Sequence, residues 1–149
     1  MATYEKAPRE FVDFANAILC EFDTHKRLLD AKVRVDYVFA RASLDKWGEP
    51  KGPAIMHHGV RALGYARIIG LKDRAMGRGD AEIVIDGDWW LKAKLPEQKA
   101  LLDHELHHIS VRETEAHIIK RDDLDRPLLQ LRPHDFEFGQ FYWPDLCKK

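Results

Sequence analysis

The chain has 149 residues, a net charge of −1, and 45% hydrophobic against 33% charged residues, which favours one globular domain over residues 1–149 and leaves no room for two. Lysine and arginine are spread along the chain, so composition excludes the basic footprint of a nucleic-acid-binding protein. A membrane span needs about 20 apolar residues, and no apolar run in the sequence approaches that length. The N-terminus also lacks the apolar core of a signal peptide. We therefore expect a cytoplasmic protein without a membrane partner.

The first part of the chain predicts a helix and a strand. Apolar residues between Pro8 and Asp23 follow helical spacing, which predicts an amphipathic helix that packs on the core. The segment from Val33 to Phe39 is rich in β-branched and aromatic residues at a period of two, as is typical of a strand. His25 lies in a polar break between these elements. A lone histidine in such a position is more often a surface residue than a ligand, and we assign it no role.

Two more strands are predicted in the middle of the chain. Ala62 to Ile69 is a strand candidate, residues 72–80 read as a charged loop, and Ala81 to Asp86 is the clearest strand in the sequence. His57 and His58 precede these segments. Adjacent histidines point to opposite faces of a strand, so a solvated pair is favoured and both are only reserve metal ligands.

The motif with the strongest chemical signal is His-Glu-x-x-His, on a predicted helix from about Pro96 to about Val111. A helix turns by about 100° per residue, so His104 and His108 lie about 40° apart and can share one ion. Glu105 then lies beside the metal without binding it. A general base needs this position to take a proton from a zinc-activated water.

Another histidine, His107, also lies one turn from His104, and the faces of the helix decide between the two pairs. A core face comprises Leu102, Leu106 and Ile109, and a polar stripe comprises Lys99, Asp103, His107 and Ser110. The stripe predicts that His107 faces solvent. His104, Glu105 and His108 share a third face, at the edge of the core where a cleft could open.

A catalytic zinc site usually takes three protein ligands, and the third must come from downstream. Two short strands, 115–120 and 127–131, are predicted around a polar turn. The candidates for the third ligand are His117, His134, Asp135 and Glu137. His117 lies in the predicted hairpin and reads equally well as an ordinary strand residue. His134 is better placed, because residues 132–138 look like the start of another helix that could pack against the first.

The segment Leu101-Leu102-Asp103-His104-Glu105-Leu106-x-His108, followed downstream by His134-Asp135-x-Glu137, resembles the phage metallopeptidases, a small zincin-like family. The resemblance covers most of the chain. It implies an α+β fold in which a short, mostly antiparallel sheet packs on the N-terminal helix and the motif helix. It also implies Zn²⁺ bound by His104, His108 and His134, with Glu105 as the catalytic base.

The motif predicts a zinc-dependent peptidase that acts on a peptide or protein substrate, and the resemblance implies that it is encoded by a phage or prophage. By analogy with zincins, the substrate is expected to lie extended along an exposed edge strand, with Ala81 to Asp86 as the candidate. The sequence does not identify an oxyanion stabiliser, for which Tyr65, Tyr142 and the arginines are the candidates. Two alternatives remain open, namely a catalytically silent zinc-binding module and a phage interaction or anti-defence protein with the same fold.

Overall fold

The computed structural model describes residues 2–57 and 59–132 of the chain. Its helices there are α1 (Arg9–Glu21), α2 (Lys26–Asp30), α3 (Leu71–Ala75), α4 (Gly87–Lys92) and α5 (Leu95–His107), with a 3₁₀ turn (Asp23–His25) between α1 and α2. The strands are β1 (Thr3–Lys6), β2 (Val35–Arg41), β3 (Met56–His57), β4 (Val60–Arg61), β5 (Gly64–Ile68), β6 (Ala81–Asp86), β7 (Ile109–Val111) and β8 (Leu129–Leu131). No helix in this part of the chain is long and apolar enough to cross a membrane.

A four-stranded sheet with the order β1-β2-β6-β5 forms the centre of the protein. The pairs β1–β2 and β5–β6 are antiparallel, whereas the central pair β2–β6 is parallel. Two small antiparallel pairs, β3–β4 and β7–β8, lie outside this sheet. The expected α+β class with a mostly antiparallel sheet is therefore observed, with one parallel pair at its centre.

The main core lies between one face of the sheet and the helices α1, α4 and α5. Phe11 of α1 contacts Tyr37 and Phe39 of β2 at ring-centroid distances of 5.4 and 5.1 Å, and Trp90 of α4 at 4.6 Å. Because side chains alternate along a strand, Ile83 and Ile85 of β6 join this core, whereas Val84 packs with Ala54 and Ile55 on the opposite face. The predicted N-terminal helix is thus confirmed as a core helix.

The expectation that Ala81 to Asp86 is an exposed edge strand is wrong. The strand itself is confirmed with the predicted bounds, but β6 is hydrogen-bonded to β2 on one side and to β5 on the other. All six of its residues are buried, and even Glu82 is held there by pairs with Arg67 and Arg78. A nearly continuous apolar run is typical of a strand covered on both faces.

The motif helix begins as predicted but ends earlier. Pro96 lies in its first turn, and the Glu97 carboxylate accepts a hydrogen bond of 3.2 Å from the backbone N–H of Lys94. The helix ends at His107 instead of continuing to about Val111, because Ile109–Val111 forms β7 and pairs with Leu129–Leu131. The β-branched residues Ile109 and Val111 favour this strand.

The region after β7 also differs in detail from the predicted hairpin. The polar turn is confirmed, since the Asp122 carboxylate accepts hydrogen bonds from the backbone N–H groups of Leu124 and Arg126. The first predicted strand, 115–120, forms a single isolated bridge within the described residues, between Ile119 and Glu113, whereas β8 pairs with β7. This arrangement brings Arg132, immediately after β8, next to the end of α5.

Candidate metal centre

The two motif histidines lie together at the C-terminal end of α5. Their Nε2 atoms are 3.2 Å apart, the ring centroids are separated by 4.8 Å, and both side chains are buried. Two nitrogen ligands of a tetrahedral zinc ion are separated by about 3.4 Å, given Zn–N bonds of about 2.0–2.1 Å. The spacing of His104 and His108 therefore fits a shared ion without rearrangement of the helix.

The orientation of His108 is set by the backbone of Arg132. The His108 Nδ1–H donates to the Arg132 carbonyl oxygen at 2.7 Å, and the Arg132 N–H donates to the His108 carbonyl oxygen at 2.7 Å. A carbonyl oxygen only accepts, so the proton of a neutral His108 lies on Nδ1 and the Nε2 lone pair is available to a metal. Metal-bound histidines are typically held in this way by a second hydrogen bond.

Glu105 lies in the same group and is almost completely buried, with 3% of its surface exposed. No hydrogen-bond partner for its Oε2 is found within the described residues. The loss of water around it raises the pKa of the carboxyl group from 4.5 to about 8. A buried carboxyl with a raised pKa has the proton affinity that a general base needs near neutral pH.

Strand β5 approaches Glu105 at Gly64, where close packing against β6 leaves no room for a side chain. A Cβ atom at Gly64 would lie 3.6 Å from Cδ of Glu105 and only 2.9 Å from Cδ1 of Ile85. Gly64 is therefore a residue of the site that motif analysis missed. Tyr65, the next residue, packs with Val84 on the opposite face of the sheet, so it is not placed to stabilise an oxyanion beside Glu105.

The remaining predicted site residues either lie outside the described part of the chain or lie away from the motif histidines. His134, Asp135, Glu137 and Tyr142 lie outside the described residues, as does His58. His117 is described, and its side chain is 87% exposed and pairs with Glu113 at 3.4 Å. It does not belong to the group formed by His104, Glu105 and His108. The hairpin position of His117 thus agrees with an ordinary surface residue.

Two predictions about neighbouring histidines are wrong. His107, expected to face solvent, is buried together with Asp103, and His25, expected at the surface, is only 1% exposed. His25 Nε2 lies 2.8 Å from Oδ1 of Asp103, and the rings of His25 and His107 are 4.8 Å apart. The 3₁₀ turn covers Asp103 and His107 of the polar stripe, and for this reason these two residues do not face solvent.

A family model described as "Putative phage metallopeptidase" matches residues 2–143. The chain therefore belongs to this family. No curated protein matches the chain significantly, and neither does any solved structure.

The raised pKa of Glu105 predicts a pH-dependent stability of the metal-free protein. Folded Glu105 keeps its proton up to about pH 8, whereas the unfolded residue loses it near 4.5. Folding therefore takes up a proton between these values, and rising pH should lower the free energy of unfolding by up to about 1.4 kcal/mol per pH unit. Glu105→Gln has no carboxyl group to titrate, so its free energy of unfolding should lack this part of the pH dependence.

Urea denaturation in the presence of a chelator at several values between pH 5 and 8 measures the effect. The other titrating groups are common to both proteins, so the difference between the wild type and Glu105→Gln isolates Glu105. A difference that does not change with pH would show that Glu105 does not keep its proton in the folded protein.

Proposed function

We propose that the protein is a zinc-dependent peptidase in which His104 and His108 bind the metal and Glu105 is the general base. The observation that carries this proposal is the 3.2 Å separation of the two Nε2 atoms beside a buried carboxyl group with no described partner for its Oε2. A helix without a metal gains little from burying such a carboxyl, because no hydrogen bond to Oε2 from the described residues offsets the cost of its desolvation.

His134 remains the proposed third ligand. Support comes from Arg132, whose backbone exchanges two hydrogen bonds with His108. His134 follows Arg132 by two residues in the sequence, so of the downstream candidates it has the shortest chain connection to this contact. Asp135 and Glu137 follow by three and five residues and are the alternatives, since carboxylates bind zinc at similar distances.

A bound Zn²⁺ would polarise the peptide carbonyl and lower the pKa of water to about 7. Glu105 takes the proton from the attacking water and then delivers it to the leaving amine. The neighbouring cation would favour the ionised form of Glu105, so the carboxyl could act as a base at a lower pH than in the metal-free protein. Burial excludes bulk water from this proton transfer.

The substrate is proposed to be a peptide segment that lies extended along β5. This strand is at the end of the sheet order, and Gly64 brings its backbone close to Glu105. An added strand would take its main-chain hydrogen bonds from the outer side of β5. A structure of the Glu105→Gln protein with zinc and a peptide tests this placement, and a peptide bound away from β5 would contradict it.

The family description supports a phage or prophage origin, and hence action in the cytoplasm of the host cell. A catalytically silent zinc module is less well supported, because a purely structural site has no use for Glu105 beside the ligands. An interaction or anti-defence protein would make no use of the paired imidazoles either. Both alternatives predict the absence of peptide hydrolysis, which separates them from the proposal.

Removal of either helical ligand should remove one tightly bound zinc. His104→Ala and His108→Ala each leave two ligands or fewer around the ion, and such a site competes poorly for zinc. We expect the wild type to bind zinc tightly in a competitive titration with a chromophoric chelator, and each variant to lose one equivalent. Unchanged zinc content in both variants would overturn the ligand assignment.

The conservative variant Glu105→Gln should separate metal binding from catalysis. It removes the base but no ligand, so zinc at His104 and His108 should be retained while peptide hydrolysis falls by a factor of about 10² or more. Hydrolysis of a peptide library by the purified zinc-loaded protein, followed by mass spectrometry, measures the loss. An equally active Glu105→Gln enzyme would refute the role of Glu105.

The third ligand is tested by four matched alanine variants, at positions 117, 134, 135 and 137. If His134 binds the metal, His134→Ala should weaken zinc binding nearly as much as His104→Ala does. His117→Ala, whose imidazole is exposed and paired with Glu113, should bind zinc like the wild type. A wild-type affinity for His134→Ala together with a weak Asp135→Ala or Glu137→Ala variant would transfer the role to that carboxylate.

A further inference from the structure

A second group of metal-binding side chains lies on the neighbouring face of α5. It consists of His25, Asp103 and His107, which are all buried and whose donor atoms lie within 4.8 Å of one another. His25 Nε2 is 2.8 Å from Asp103 Oδ1, and His107 Nδ1 is 3.6 Å from the same oxygen. Two ligands of a tetrahedral zinc ion are about 3.4 Å apart, so donor atoms that lie within 4.8 Å of one another can converge on one ion after small side-chain movements.

The helix geometry repeats that of the first site. Asp103 and His107 are related by i, i+4, as are His104 and His108, and the two pairs are offset by one residue. One residue corresponds to about 100° of rotation, so α5 presents two ligand pairs on adjacent faces. The third donor of the second group, His25, comes from the 3₁₀ turn between α1 and α2.

The orientation of His107 suits a metal ligand. Its Nδ1–H donates to the backbone carbonyl oxygen of Asp103 at 2.8 Å, which puts the proton of the neutral ring on Nδ1 and makes Nε2 the metal-binding atom of the ring. A backbone carbonyl commonly holds a metal-binding histidine in this way. Two imidazoles and one carboxylate are a donor set that zinc accepts.

A cavity of about 340 Å³ connects this group to the surface. His25 and His107 line it, together with the apolar side chains of Leu28 and Leu106. The lining also includes Glu113, whose carboxylate is paired with the Arg27 guanidinium, and Arg132. The cavity provides a route for an ion and space for water as a fourth ligand.

We propose that His25, Asp103 and His107 form a second zinc site, separate from the site of His104 and His108. On binding, the neutral His25 ring changes tautomer: the proton on Nε2 leaves to solvent, Nδ1 takes up a proton from solvent, and the Nε2 lone pair and the Asp103 carboxylate both bond to the ion. The ion links the 3₁₀ turn to α5, across 78 residues of sequence between His25 and Asp103. Its role is to hold the helix that carries His104 and Glu105 against the N-terminal helices.

The experiment compares three proteins after equilibrium dialysis against buffered zinc, with the metal content measured by mass spectrometry. The wild type should bind two zinc ions per chain, and the double variant His104→Ala/His108→Ala should keep one. His25→Gln should also keep one, because glutamine can still donate a hydrogen bond to Asp103 but is a poor zinc ligand. Zinc should raise the thermal unfolding temperature of the double variant. In the triple variant, which also carries His25→Gln, zinc should leave the unfolding temperature unchanged.

The control is His117→Gln, the same substitution at an exposed histidine, which should still bind two ions. One zinc in the wild type and none in the double variant would overturn the second site and leave the proposed function intact. A different result would support the second site and overturn the first: the wild type binds one zinc, the double variant keeps it, and His25→Gln loses it. Equal losses in His25→Gln and His117→Gln would show adventitious surface binding and refute the proposal.

Discussion

The burial of a polar helix end is the constraint on which the structure depends. Residues from Ala100 to His107 of α5 are all buried, although this stretch contains two histidines, an aspartate and a glutamate. Their polar groups must be satisfied from inside the protein, since an unsatisfied buried group costs about 1–3 kcal/mol. The surrounding elements are arranged accordingly. The 3₁₀ turn provides His25 for Asp103, and the chain after β8 provides the Arg132 carbonyl for His108.

The Oε2 atom of Glu105 has no hydrogen-bond partner among the described residues, and the surroundings of this carboxyl group explain why it is useful. Strand β5 comes close to it through Gly64, which has no side chain to offer as a hydrogen-bond partner. The result is a carboxyl group whose pKa is raised to about 8 by burial, next to two imidazoles that are spaced for one ion. A cation at that position would relieve the cost of the ionised carboxylate, which links metal binding to the readiness of the base.

Much of the fold could be predicted from local pattern. The amphipathic spacing around Phe11 predicts α1, the apolar run of residues 81–86 predicts β6, and Pro96 with Glu97 marks the start of α5. The order of the strands could not be predicted, because an apolar run alone does not specify its neighbours. For that reason β6 was expected at an edge, whereas it pairs with β2 and β5.

The sequence by itself determined the chemistry of the motif, because the i, i+4 spacing of His104 and His108 brings two imidazoles together in any α-helix. Only the tertiary structure decided which other groups join them. His25 meets Asp103 because the turn after α1 folds over α5, and Arg132 orients His108 because β8 pairs with β7. Contacts between residues so far apart in the chain depend on packing and strand pairing, for which local spacing carries no signal.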